Sequence, residues 1–526
     1  MDKEGIKEII KHNPELTDKL FARGFLFTNG VIELDEYPFY GIWDAVEIKG
    51  FRLIVSPLQT YSIVSNEQAS ILLVGHAYNP YSMISDENMI LSGLIERLAD
   101  KSLNNPSSKF WDSVNELTGI FTIIIIKGNS VIVIGDASGM QTVFYTVCNG
   151  KTYISSHTNL IGDLLNLEQD PYIKRLKNYR FFKLLGNSLP GNLTQFRKVK
   201  RLIPNHYVRI SNCSVEVVRF YWPHRLDISE KKIAEEVSRL LHSNMELISQ
   251  KWKKPAISMT GGCDSKTTIA CTNGLYDKFK YFSYVSSKAE RVDAYAAKKI
   301  CEALGIEHKT YIIPESGVEK YQEVAEILNW NTGNIRYSHP NDVRKRIIFA
   351  DTEDFDVEVK SWASEIGRAY YSKRFHGRTR FGEITPRKCT TLYKFFFHDR
   401  KLVKQTDKVF EKYIKRYFEQ AKDNPVEWQE QFFWEFRVPS WNGLVITGEH
   451  KYSFDITIPY NNRRLFELLL SIPVEDRILD KVYSVIREKM NPAIDLTGVA
   501  VTNLKHTERR EKVENLYYTV HSRMIF

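Results

Sequence analysis

The sequence predicts an α/β protein in two parts, a sandwich of sheets with helices outside and then a doubly wound parallel sheet with a helical extension. Three observations carry this. Over residues 24–221 short β-branched runs alternate with turns, and long helical stretches are few. From Ile228 onward amphipathic helical spacing takes over. Within that second half, strand, helix, strand, helix and strand follow one another across residues 256–313, the order of a parallel sheet covered on both faces. The change falls at 221–227, around Trp222-Pro223, so the expected units are residues 1–221 and 228–526.

Composition sets the outer bounds. A chain of 526 residues has room for about two to four domains. Its 43% hydrophobic and 26% charged residues are those of a folded soluble chain, and 13% aromatic residues argue for large buried surfaces over disorder. Six cysteines show no C-x-x-C pair and no metal-ligand spacing, and read as reduced thiols of a cytoplasmic protein. The charged start and the short apolar runs predict neither a signal peptide nor a membrane span. Net charge of +9 is mild for this length. Basic clusters at Arg344-Lys345-Arg346 and at 373–380 come with no nucleic-acid module, so small anions, not nucleic acid or membrane, are the expected partners.

Taken in order, residues 71–77, 119–126 and 130–135 are apolar enough to be strands buried on both faces, and 109–117 and 159–167 read as short helices. Helix 233–248 leads into a strand at 256–259. There the chain turns tightly through Thr260-Gly261-Gly262-Cys263-Asp264-Ser265 into a helix. Glycines that let backbone approach closely, followed by a helix N-terminus, make a site for phosphate, with the Thr260 and Ser265 hydroxyls adding hydrogen bonds. Asp264 would repel phosphate, so its presence argues for a bridging Mg²⁺. The alternative is a structural turn with Asp264 as the helix N-cap. Strands at 280–285 and 308–313 and a helix at 291–304 complete the unit. A short strand at 357–359 precedes Lys360-Ser361-Trp362-Ala363-Ser364-Glu365-Ile366-Gly367-Arg368, and a helical bundle is expected beyond it.

These motifs carry a resemblance. T-G-G-C-D-S is similar to the S-G-G-x-D-S pyrophosphate loop of the ATP pyrophosphatase superfamily, with Thr260 for the first Ser. Leu117-Thr118-Gly119-Ile120-Phe121, Gly135-Asp136-Ala137-Ser138-Gly139 and Val143-Phe144-Tyr145 resemble, in that order, the class II glutamine amidotransferase domain of N-terminal-nucleophile (Ntn) type. Segments 189–196 and 200–206 resemble its closing stretch. The chain therefore looks like an asparagine synthetase-like protein, which implies an αββα sandwich followed by a HUP-like synthetase domain. The resemblance also implies an ATP- and Mg²⁺-dependent ligase that adenylates a carboxylate, releases pyrophosphate and transfers the acyl group to an amine or ammonia. β-Lactam synthetases and lasso-peptide cyclases are related examples without glutaminase.

By that resemblance ATP lies against Ser258, Thr260, Gly261, Gly262, Asp264, Ser265 and Tyr284, and Asp264 with Glu365 holds the metal. Glu365 takes the position of the family's Asp, a structural role for Glu365 as an N-cap partner or paired with Arg368 being the alternative. Lys481, with Arg487 second, matches the helix whose lysine contacts phosphate, and Lys505 is the nearest counterpart of the family's late catalytic lysine. The departures matter as much. Position 2 is Asp2 and the first cysteine is Cys148, so the glutaminase nucleophile is absent. Asn79 is expected only to satisfy a turn. Trp362 stands where asparagine synthetases carry Glu and β-lactam synthetases a catalytic Tyr, and Asn461-Asn462 stand where an acid is usual. The substrates implied are small-molecule or peptide carboxylates and amines, and the reading allows a homodimer. Other readings left open are an RNA- or small-molecule-modifying adenylating enzyme and a catalytically silent nucleotide-binding scaffold.

Overall fold

The computed structural model describes residues 2–498 apart from 99–101, 181, 183–187, 376, 378–380, 394–398 and 420–423, with a few positions after 511. Lys505 and most of the tail from Thr507 lie outside the described residues.

Two six-stranded antiparallel sheets are built between Phe25 and Arg219. One runs Lys200–Arg201, Phe144–Cys148, Lys151–Ser155, Phe25–Thr28, Phe51–Val55, Asp44–Ile48, and the other Ser214–Arg219, His206–Ser211, Ser130–Gly135, Thr118–Lys127, Ala69–Tyr78, Tyr61–Ser65. Period-2 alternation sorts their side chains. Phe27, Leu53, Leu72, Val74, Ile124 and Val133 meet in one core between the sheets. Their neighbours Ile71, Leu73, Ile123 and Ile125 turn outward to Leu91, Leu94, Phe110 and Trp111, on the helices Glu87–Glu96 and Lys109–Asn115. Leu26, Ile54, Phe144 and Tyr153 of the other sheet face helices Lys3–His12 and Thr158–Leu164. The result is the expected four-layer αββα sandwich.

Part of that cover comes from far along the chain. Val324, Ile327, Leu328 and Trp330 of helix Tyr321–Asn331 belong to the same outer core as Leu26 and Ile54. Trp330 Nε1 also donates to Asp163 (3.1 Å) on helix Thr158–Leu164, and Tyr37 donates to the same carboxylate oxygen at 2.6 Å.

The second half forms a five-stranded, all-parallel sheet in the order Lys309–Ile312, Lys280–Val285, Pro255–Ser258, Val357–Val359, Asp455–Thr457. Ile257, Tyr281 and Val359 face one core with Ile269, Ala297 and Ile300, while Ala256, Phe282 and Ile456 face another with Phe349 and Phe355, so the sheet is covered on both sides. The last strand was not expected from the sequence, where three residues gave no periodic signal. Among the described residues no helix is long and apolar enough to cross a membrane.

The two halves meet through polar side chains. Asn461 donates to Gly119 O (2.7 Å) and Asp136 Oδ1 (3.0 Å) and accepts from the Ser138 hydroxyl at 2.6 Å. Asn462 caps helix Arg463–Leu470 and donates to Glu116 O at 2.7 Å. Arg463 donates to the carbonyls of Gly135 and Asp136. Gly119 has φ of +135°, and a Cβ there would lie 2.3 Å from His76 O, so only glycine fits this strand crossing.

Candidate active site

In an open parallel sheet, ligands bind at the C-terminal strand ends where the winding reverses. Strand Pro255–Ser258 is the central strand, flanked by Lys280–Val285 and Val357–Val359, and its end leads into the glycine turn. Gly262 is the N-cap of helix Cys263–Cys271 and no side chain caps it, so the helix start is left open to a ligand. Asp264 sits inside the first turn, which removes the reading of Asp264 as N-cap. The Thr260 and Ser265 hydroxyls lie 3.0 Å apart, and Thr260 Oγ1 accepts from Gly262 N at 3.2 Å, bracing the loop.

A cleft of about 290 Å³ opens here, lined by Ser258, Thr260, Ser265 and Tyr284 together with Asp264 and Glu365. Two acids a hundred positions apart are thus brought to one cavity. Asp264 accepts from the Ser364 hydroxyl (2.7 Å) and from Arg368 Nη1 (2.5 Å). Burial, and then the nearby Asp264 charge, push the Glu365 carboxyl up to about 7. A larger cavity of about 770 Å³ lies at the opposite end of the sheet, beside Lys280, Lys309 and Asp354, where strands begin. Topology favours the smaller one.

The donor set suits a hard cation. Mg²⁺ is commonly held by one or two carboxylates, with phosphate oxygens and water completing its shell. Asp264 and Glu365 supply the two carboxylates, and among the described residues no group of three or more His, Cys, Asp or Glu is placed to hold an ion without a ligand's help.

Other expectations need correcting. Lys481 does not reach the cleft: at the start of helix Lys481–Met490 its ammonium pairs with Asp476 and is about half exposed. Arg487 lies against the flank of the loop helix, not in the cleft lining. It donates to Cys263 Sγ (3.3 Å) and Thr267 Oγ1 (3.2 Å), while Asp495 accepts from its Nε at 2.8 Å. The suggested pairing of Glu365 with Arg368 is replaced by a fork in which Arg368 bridges Asp264 and Asp480, the latter through Nε (2.9 Å) and Nη2 (2.8 Å). Lys373 pairs with Asp480 as well.

Some residues escaped the sequence reading. Lys360 lines the cleft, buried, with its ammonium 2.6 Å from Glu358 and 5.2 Å from the centre of the Trp362 ring. The only available signal was its place at the end of a strand next to the second motif. Arg346 and Lys345, read as part of a basic cluster, are buried at 1% and 4% exposure. Asn79 makes the expected turn, accepting from the backbone of Tyr81 and Ser82. Asp2 caps helix Lys3–His12 through Gly5 N (3.0 Å).

No family model matches the chain, and no curated protein matches it. Among solved structures, the allosteric regulatory enzyme of purine biosynthesis is 12% identical over 70% of this chain and 74% of its own, with a TM-score of 0.26. Glutamine phosphoribosylpyrophosphate amidotransferase from B. subtilis, solved with ADP and GMP, has the same identity and coverages and a TM-score of 0.21. The NH3-dependent NAD synthetase from Campylobacter jejuni is 14% identical over 38% of this chain and 89% of its own, with a TM-score of 0.18. Likenesses at this level assign neither fold nor activity.

Proposed function

We propose that the protein is an ATP- and Mg²⁺-dependent ligase. It adenylates a carboxylate with release of pyrophosphate, then passes the acyl group to an amine or to ammonia, leaving an amide and AMP. The observation that carries this reading is the convergence of Asp264 and Glu365 on one cleft beside a hydroxyl-braced, uncapped helix start. In it, the open helix start after Gly262 and the Thr260 and Ser265 hydroxyls hold the terminal phosphates, and Ser258 and Tyr284 flank the nucleoside. Asp264 and Glu365 would hold Mg²⁺, which would supply charge neutralisation on the phosphate leaving group. Arg368 keeps Asp264 oriented, and the cleft walls keep the acid and the α-phosphate in line. In this reading the first half serves as a scaffold: Asp2 is engaged as a helix cap, and the cysteines before Tyr221 are Cys148 and Cys213. The nitrogen is then a substrate amine or free ammonia, and glutamine is not hydrolysed. The two units of the reading remain residues 1–221 and 228–526, in a cytoplasmic protein acting on small-molecule or peptide substrates.

A second reading, a nucleotide-binding scaffold without turnover, is favoured by one observation: the Arg368 guanidinium already sits on Asp264. ATP–pyrophosphate exchange across a panel of carboxylates decides between them. Exchange with at least one acid is expected, falling more than about 100-fold in Asp264→Asn with a nearly unchanged unfolding midpoint, since the amide oxygen can still accept from Arg368 while the Ser364 hydroxyl keeps Ser361 O as an acceptor. ATP binding without exchange supports the scaffold, and undiminished exchange in the variant removes Asp264 from the reading.

A further inference from the structure

We infer that Lys360 and Glu358 form a proton-accepting pair in the wall of this cleft. Lys360 takes the proton that the amine sheds as it attacks the acyl-adenylate, and Glu358 stores it. This deepens the ligase reading and rests on it.

The observation is a lysine turned inward at the place where the second half of that reaction needs a base. Lys360 directly follows strand Val357–Val359 and lines the cleft, the one cation among the described lining residues. The ladder continues through it, its N–H bonding Thr457 O at 3.0 Å, so Lys360 and Glu358 point to the same face. Lys360 is 3% exposed, and its ammonium meets the fully buried Glu358 at 2.6 Å. Only Oε1 of that carboxylate is used. Oε2 has no hydrogen-bond partner among the described residues, and an oxygen that no donor occupies is a place for a proton. A buried ion pair at this spot is poorly explained by stability alone, since apolar residues of the same volume commonly do as well or better.

The neighbours leave this role to Lys360. The Trp362 ring, 5.2 Å from the ammonium on the same wall, has no acid–base function. Asp264 and Glu365 are assigned to the metal, and Glu290 is engaged by Lys345 (2.5 Å) and by Ser286 N (2.8 Å). Burial lowers the Lys360 ammonium, Glu358 opposes it, and the charges of Arg346 and Lys345 add to the lowering. Buried lysines of this kind give up their proton readily and serve as bases.

In the step, the amine lone pair forms the bond to the acyl carbon. The bond from that carbon to the phosphate oxygen breaks, and its electron pair leaves on AMP. The proton shed by the nitrogen passes to Lys360 Nζ as Lys360 hands one of its own to Glu358, and the pair returns it to water once the products leave.

Amide formation and ATP–pyrophosphate exchange are measured side by side on the full-length protein, with an acid that supports exchange and with ammonium chloride or hydroxylamine as nucleophile. Lys360→Arg keeps the cation but cannot release its proton, and Glu358→Gln keeps an oxygen for the Lys360 bond but cannot store one. Each is expected to lower amide formation from ammonia at least about 100-fold relative to exchange. Hydroxamate formation should fall far less, because the adduct of a weakly basic nucleophile sheds its proton readily. An unchanged ratio in Lys360→Arg means that only the charge counts and overturns the inference. So does an unchanged ratio in Glu358→Gln, the near-isosteric variant that decides the case if Lys360→Arg does not fold. Equal losses with ammonia and hydroxylamine overturn it too, since a displaced substrate explains them. Wild-type exchange with no product from either nucleophile removes the step that the pair would serve. No exchange with any acid overturns the ligase reading itself, and the inference with it.

Discussion

At the scale of single residues, the site turns on Arg368. Its guanidinium spans two carboxylates, Asp264 on the loop helix and Asp480 before helix Lys481–Met490, and so ties the loop to the helical extension. A planar fork with several donors can do this, whereas a lysine offers one compact charge that serves one acid at a time. Arg368→Lys should therefore lower pyrophosphate exchange by about tenfold or more while moving the unfolding midpoint by only a few degrees. Equal activity in the lysine variant would show that Asp264 needs no orienting partner. The loop itself was legible in the sequence because its parts are contiguous: a strand, two glycines, an acid and a helix start. Arg368 was not, because its partners Asp264 and Asp480 lie far away in sequence, and Lys360 was not, because its pairing with Glu358 depends on both side chains being buried. Side-chain direction, which spacing does not specify, decides whether such a cation faces solvent or the floor of a cleft. Lys481 shows the opposite error, where a lysine matched by alignment turns outward to Asp476.

At the scale of elements, long strands and helices could be read within a few residues: the run expected at 119–126 is the strand Thr118–Lys127, and the helix expected at 233–248 is Glu230–Lys251. Asp455–Thr457 could not, since a strand that short has no measurable period and exists because Val357–Val359 offers it an edge. The junction of helices Thr158–Leu164 and Tyr321–Asn331 leads to a prediction about pH. Burial outweighs the hydrogen bonds from Tyr37 and Trp330, and lifts the Asp163 carboxyl to about 6. The unfolded chain holds it near 4, so between about pH 4 and 6 the folded state binds the extra proton. This contribution to stability is full at the acid side and is lost as pH rises through 6. Asp163→Asn, whose amide oxygen still accepts both bonds, should flatten that fall and be the more stable form at pH 7.5 by roughly 1–3 kcal/mol. Parallel midpoint-versus-pH curves for the two proteins would refute the assignment.

Across the whole molecule, the departure at Asn461 acquires a physical reason. Its amide faces Asp136 Oδ1 at 3.0 Å in a fully buried junction, and burial already raises the Asp136 carboxyl. An acid at this position would set one carboxylate against another. Asn461→Asp should cost about 3 kcal/mol or more at neutral pH and less near pH 5, where one of the pair can take up a proton. Thermal midpoints at the two pH values check it, and a pH-independent loss would mean that only shape, not charge, is at stake. The same junction explains why a boundary that is plain in composition near residue 221 is bridged in space by Asn461, Asn462 and Arg463.

Helix Tyr321–Asn331 carries a consequence for how the protein is made. The last strand of the sandwich ends at Arg219, and part of the cover on the outer face of its first sheet emerges from the ribosome only about a hundred positions later. At common translation speeds that is a wait of roughly 5–20 s. Throughout it, Leu26, Ile54 and their neighbours stand partly bare on a nascent chain, which makes this sheet the natural place for a chaperone to hold.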